Sequence, residues 1–385
     1  MRDVLEHIRP WYAAGETFGL ATVVGTYRSA PRQPGAAMAV SAAGEAVGSV
    51  SGGCVEGAVY ELAQEVMGSG TPVFQTYGVS DDDAFTVGLT CGGIIDMFVE
   101  LIGPQTFPEF EEVAASIEAG EPVAVATVIS RGEVTSRADT AGMGSVGARL
   151  VIWPDRRSGT LGSARLDDAV TDDGRGQLSQ GHTGILHYGP EGERRGDELA
   201  VFVQSYSPPP RMLVFGAIDF AAAVAAAGKF LGYRVTVCDA RPVFATAKRF
   251  PQADEVIVEW PHRYLEKQLE IEHAVDPRTV ICVLTHDPKF DVPVLKLALG
   301  TEAGYIGAMG SRRTHDDRLA RLREEGVPAE QLARLYSPIG LDLGARTPEE
   351  TAISIAAEII GQHWGGSGVK LRATEGAIHR EPTAG

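Results

Sequence analysis

The chain has 385 residues, with 34 Lys and Arg against 51 Asp and Glu, for a formal net charge of −17. So acidic a balance gives little support to non-specific binding of a phosphate backbone, and no nucleic-acid partner is expected. Hydrophobic residues at 44% and a length of two or three domains at ~150 residues each predict a chain that is folded nearly throughout.

In chain order, the opening residues Met1 to Val4 carry no apolar signal region, and no apolar run approaches the ~20 residues of a membrane span. A cytoplasmic protein without a membrane span is therefore expected. Residues 20–24 and 37–40 read as strands and 55–67 as a helix. Residues 125–129 resemble 20–24, and 200–203 resemble 96–99, with 46–49 likened to 160–163 in the same order. Three matches in one order predict a duplicated α/β unit over residues 1–207, against the competing explanation that generic strand–turn composition produced them. Ser207, Pro208, Pro209 and Pro210 cannot continue a helix or a central strand, so a boundary is expected there.

Beyond it, β-branched runs at 211–215, 234–238, 255–259, 279–285 and 305–308 alternate with amphipathic runs at 219–231, 244–250, 264–271, 292–299 and 314–325. Such alternation predicts a Rossmann-like, doubly wound parallel sheet over 208–365. Thr347, Pro348 and Glu350 form the signature of a capping box ahead of a last helix, and 366–385 reads as a polar tail.

Four cysteines occur, Cys54, Cys91, Cys238 and Cys282, without a CxxC pair, so neither a disulfide framework nor a structural zinc site is supported. Cys238 and Cys282 lie inside strand runs and read as buried, inert thiols. Cys54 follows Gly52 and Gly53, and Cys91 precedes Gly92 and Gly93. In such loops backbone amides can approach a ligand, and a helix N-terminus after Cys54 favours thiolate, so a ligating thiol and an inert one both stay open. Arg28 and Arg32, in a turn-rich loop, suit bidentate contact with phosphate or carboxylate, or surface ion pairs. Glu56 and Glu100 read as a helix residue and a strand end.

Gly216 keeps only the first glycine of a dinucleotide fingerprint, with Ile218 and Ala221 in the other two places; Asp239, at the end of the second strand, stands where a ribose-binding acid would. This degraded pattern keeps an NAD(P)-dependent oxidoreductase as an alternative. His286 ends one strand, and Ser311 and Arg312 open a helix after the next; these are anion-binding or acid–base positions at the carboxyl edge of a parallel sheet.

Taken together, Pro31 to Ala36, Gly48 to Glu56, Gly88 to Gly93, Phe98 to Glu100, Val235 to Arg241, Thr285 to Asp287, Gly307 to Arg313 and Ser337 to Glu350 resemble the XdhC/CoxI family, the xanthine dehydrogenase accessory factors. The resemblance implies a non-enzymatic chaperone that binds the molybdenum cofactor (molybdopterin) as cargo. It also implies that the protein works with a cysteine desulfurase and hands the cofactor to a molybdenum hydroxylase apo-enzyme. It implies cofactor or molybdenum contact at Cys54 and Cys91, with Cys91 favoured for its tighter glycine flank, and phosphate contact at Arg28 and Arg32. Many relatives would show a fuller Gly-Ala-Gly turn at 216–221, so nucleotide binding by the second half stays open. A homodimer is expected as the commonest soluble oligomer.

Overall fold

A computed structural model describes residues 1–27, 32–78, 93–132, 144–189, 191–271 and 274–375. The chain forms two compact units, Met1–Pro208 and a second that begins at Pro209.

The first unit runs α1 (Leu5–Ala13), β1 (Phe18–Tyr27), β2 (Ala37–Ser41), β3 (Ala46–Gly48), α2 (Glu56–Ser69), β4 (Val73–Tyr77) and β5 (Ile94–Ile102). The series then repeats as α3 (Phe110–Ala119), β6 (Val123–Arg131), β7 (Arg149–Ile152), β8 (Arg157–Gly159), α4 (Ala164–Gln180), β9 (Gly184–Tyr188) and β10 (Leu199–Tyr206). Two antiparallel five-stranded sheets result, ordered β3-β2-β1-β5-β4 and β8-β7-β6-β10-β9. Their registers correspond residue for residue. Thr22 stands between Ala37 and Phe98, and Thr127 between Arg149 and Phe202.

The register corrects one detail of the duplication. Gly48 and Gly159 both take positive φ, 86° and 87°. A Cβ at either would lie 2.3 Å from the Ala37 carbonyl oxygen or 2.5 Å from that of Arg149, so only glycine fits. Ser49 is therefore the counterpart of Thr160, and the likeness of 46–49 to 160–163 was out of register. The Gly-Ser dipeptide at Gly162 mimics Gly48 and Ser49 in sequence, whereas Gly159 is followed by threonine.

The sheets are apolar on both faces, which is why their central strands read as continuous hydrophobic runs rather than alternating ones. On one face α2 packs Val59, Ala63 and Val66 against Ala21, Val23 and Met97, and α4 packs Leu166 and Val170 against Ala126, Val128 and Val201. The other faces meet, with Leu20 and Ile102 among Val125, Val151 and Trp153, and Val24 and Phe98 against Ile129 and Phe202. Each fully buried side chain of this size contributes about 1.5–3 kcal/mol. Into this dry layer β5 sends Glu100 and β7 sends Arg149, a buried ion pair. The Arg149 guanidinium also donates to the Thr106 carbonyl at 2.9 Å and lies 4.6 Å from the centroid of the Phe107 ring.

The second unit runs β11 (Arg211–Phe215), α5 (Asp219–Phe230), β12 (Arg234–Asp239), β13 (Glu255–Val258), α6 (Pro261–Leu269) and β14 (Val280–Val283). It continues through α7 (Pro288–Ala298), β15 (Tyr305–Ala308), α8 (Arg312–Glu324), α9 (Ala329–Leu332), β16 (Leu335–Tyr336) and α10 (Pro348–Trp364). All six strands are parallel, in the order β13-β12-β11-β14-β15-β16, a doubly wound Rossmann sheet whose strand order reverses between β11 and β14. α5 and α10 cover one face through Val224, Ala225, Ile355 and Ile359. α6, α7 and α8 cover the other through Leu265, Val294, Leu295 and Leu322.

One expected helix is absent. Residues 244–250 form successive turns, held by Phe244 and Ala245 N–H groups on the Arg241 carbonyl, with buried Phe250 as their anchor. The proline at either end, Pro242 and Pro251, leaves too short a stretch for a stable helix. The capping box at Thr347 and Glu350 opens α10 as expected. No helix among the described residues is long and apolar enough to cross a membrane.

Candidate functional site

The loop between β3 and α2 is built around one carboxylate. Glu56 accepts from the hydroxyl groups of Ser49 and Ser51 and from the N–H groups of Val50, Ser51 and Gly53. The Gly52 N–H donates to Ser49 Oγ at 3.1 Å, and the Cys54 and Val55 N–H groups donate to Ser51 Oγ, each at 3.0 Å. Every backbone N–H from residue 50 to residue 55 is thus bound within the loop. Burial alone would push the Glu56 carboxyl up; the donated bonds from Ser51 and Ser49 outweigh it and hold the carboxyl at about 2. Gly52 and Gly53 take φ of 75° and 115°, which explains the glycines by backbone conformation.

This arrangement revises the expected use of the glycine pair. Its amides are consumed by Glu56 and Ser49, and what the loop presents outward is the side chain of Cys54, which is exposed. The second copy keeps a reduced form of the device: Asp167 accepts from Thr160 Oγ1 at 2.8 Å and from the Leu161 N–H at 2.7 Å, with no cysteine. Glu56, read from sequence as an ordinary helix residue, is the organiser of the loop. Its signal was the pair of serines five and seven residues before it.

Cys91, Gly92 and Arg28 lie outside the described residues. Gly93 is buried immediately before β5. Arg32 is half-exposed and pairs with Asp3 at 2.9 Å. Cys238 and Cys282 are buried thiols that burial pushes up to about 12, which leaves them without thiolate near neutrality. Among the described residues no three His, Cys, Asp or Glu side chains are grouped to hold a metal ion.

In the second unit, Gly216 has φ of 114°, and a Cβ there would lie 2.9 Å from the Thr285 backbone nitrogen. The close passage of β11 beside β14 at the reversal of strand order accounts for this glycine without a nucleotide. Asp239 is 2% exposed, and its carboxylate is filled. Oδ2 accepts from the Ala217 N–H at 2.7 Å and Arg241 Nη2 at 2.7 Å, and Oδ1 from the Arg241 N–H and Nε, both at 2.9 Å. The acid expected to receive ribose hydroxyls instead ties the turn after β11 to the turn after β12. Asp219 is paired with Arg249 at 3.0 Å.

His286 is exposed on the loop after β14. Ser311 caps α8 by accepting the Thr314 N–H at 3.1 Å, and Arg312 is the exposed first residue of that helix. These three follow neighbouring strands at the carboxyl edge of the sheet. Beneath them lies a network with no sequence signature. Buried Asp291 accepts from Thr285 Oγ1 and, at 3.0 Å, from Arg318, which also donates to the Met309 carbonyl at 2.8 Å and to Ser337 Oγ at 3.0 Å. Arg318 thereby ties together the segments after β14, β15 and β16. Burial pushes the Asp291 carboxyl up to about 6 against the pull of Arg318.

A family model described as the XdhC Rossmann domain matches residues 212–359, and one described as the XdhC and CoxI family matches residues 11–78 and 116–189. Among curated relatives, a protein of Bacillus subtilis (strain 168) described as a probable xanthine dehydrogenase subunit is 29% identical over 343 residues, covering 89% of this chain and 92% of the relative. The molybdenum cofactor insertion chaperone PaoD of Escherichia coli (strain K12) is 26% identical over 358 residues, covering 93% and 87%. A solved structure described as a xanthine dehydrogenase from Bacillus halodurans superposes with a TM-score of 0.64 at 27% identity, covering 93% of this chain and 95% of the other. Matched in both of its units, the chain belongs to the XdhC and CoxI family.

Proposed function

We propose that this protein is an accessory factor that binds the molybdenum cofactor and passes it to a molybdenum hydroxylase of the xanthine dehydrogenase type. The observation that carries the reading is the exposed Cys54, held on a loop whose amides are all internally bound. A soft molybdenum–sulfur centre suits a thiolate ligand, and a pre-organised loop lowers the entropy lost on binding. The relatives named as a cofactor insertion chaperone and as part of a xanthine dehydrogenase support the same reading. In it Cys54 and Cys91 contact the cargo, and Arg28 and Arg32 its phosphate. A cysteine desulfurase is the partner that would supply sulfur to the held cofactor, and the protein acts as a cytoplasmic homodimer without turnover of its own. The oxidoreductase alternative is disfavoured, because the Asp239 carboxylate on which it depended is closed by Ala217 and Arg241.

The test is gel filtration of the purified protein with freshly released cofactor, reading pterin fluorescence after oxidation and molybdenum content in the protein peak. Stoichiometric co-elution that Cys54→Ser diminishes is the expected result. A peak free of pterin and metal would reject the reading.

A further inference from the structure

We propose that the two repeats within the first unit jointly form a phosphate-binding groove, with Arg2 and Arg32 as its cationic contacts. The groove has a volume of about 620 Å³ and lies between the turn at residues 33–36 of the first copy and the end of β10 in the second. Its frame is fixed. Gln204 Nε2 donates to the Gly35 carbonyl at 2.9 Å, and the Ser205 N–H donates to Thr183 Oγ1 at 3.1 Å.

The charges are arranged to receive an anion. Among the described residues Arg2 pairs with no carboxylate; its guanidinium donates to the Ser207 carbonyl at 3.0 Å and lies 5.9 Å from the centroid of the Tyr206 ring. Arg32 is held by Asp3 at 2.9 Å, but with side-chain exposures of 41% and 37% this pair is solvent-screened and exchangeable. The three charged side chains lining the groove, Arg2, Arg32 and Asp3, sum to one positive charge, and an entering dianion would take the place of Asp3 on Arg32. Two guanidinium forks suit the oxygens of a phosphate monoester. The volume leaves room for the small molecule that carries it.

That this phosphate is the one on the molybdenum cofactor rests on the function proposed above; the recognition of phosphate does not. Isothermal titration of the full chain with inorganic phosphate and with phenyl phosphate tests the groove directly. Saturable binding is expected, tighter for the monoester and weakened about tenfold or more by Arg2→Gln and by Arg32→Gln. Unchanged circular dichroism in the variants would show that the fold is intact. Absence of saturation at millimolar ligand, or an affinity in both arginine variants equal to that of the parent protein, would overturn the groove. Co-elution of pterin with the variants then separates the two readings. Phosphate binding without pterin retention by the parent protein keeps the groove and rejects the delivery role. Pterin retention untouched by Arg2→Gln and Arg32→Gln rejects the groove as the cofactor's seat and keeps the delivery role.

Discussion

Replacing Glu56 with glutamine would show whether one carboxylate holds the loop that presents Cys54. Five donated bonds converge on its two oxygens, and they bring the carboxyl from its usual 4.5 to about 2. At about 1.4 kcal/mol per pKa unit, that difference sets a ceiling near 3 kcal/mol, which solvent screening of a partly exposed group lowers to about 2. Because the folded-state value is depressed, the stabilisation is complete above about pH 4.5 and is lost as the pH falls toward 2. Glutamine keeps one accepting oxygen but turns an NH₂ group toward N–H donors. At neutral pH, hydrogen exchange at the amides of residues 50–55 should accelerate about 10–30-fold, since each 1.4 kcal/mol is a factor of ten. Peptides from the second unit should exchange as before. Asp167→Asn, which removes a carboxylate accepting only two bonds, should have the smaller effect on its own loop. Unchanged exchange across residues 50–55 in the Glu56→Gln protein would refute the account.

Cys54→Ser should leave the melting temperature within about a degree, as expected of an exposed side chain, while lowering molybdenum retained in the gel-filtration peak about tenfold. Asp239→Ala should cost about 2–4 kcal/mol in denaturant unfolding, because the Ala217 N–H and Arg241 lose their acceptor in a buried turn. Arg149→Met should cost about 3–5 kcal/mol by stranding Glu100 in the apolar layer, and pairing it with Glu100→Leu should recover most of that loss. Arg318→Met should be similarly destabilising, and in hydrogen exchange it should loosen the segments after β14, β15 and β16 together rather than one alone.

Much of the architecture was legible because its signals are local. The proline run at 208–210, the capping box at Thr347 and the alternation from residue 211 onward each sit within a few neighbouring residues. The likeness of β1 to β6 is visible in their sequences, whereas the pairing of Gly48 with Gly159 is not, because the constraint there is a carbonyl oxygen contributed by the adjacent strand. The thiol loop was found through its glycines. The work of Glu56 was hidden, since a carboxylate that gathers donors from earlier residues looks in sequence like any first-turn glutamate. Gly216 and Asp239 stand out in the sequence by position, while the contacts that hold them do not. Both are explained by contacts across the sheet, with the Thr285 backbone and with Ala217. Arg318, Asp291 and Thr285 could not have been grouped, because nothing in their spacing shows that three separate segments converge on them.

The ion pair between Glu100 and Arg149 occurs once in a unit that is otherwise built twice. By register, Arg149 occupies the place of Ala37, and Glu100 the place of Gln204. The two halves are therefore no longer interchangeable. A self-associated pair of first halves would bury two copies of Glu100 facing no arginine, and a pair of second halves would bury two copies of Arg149 facing no glutamate. Each half is committed to the other, so a fragment ending before α3 should prefer its missing complement to a second copy of itself.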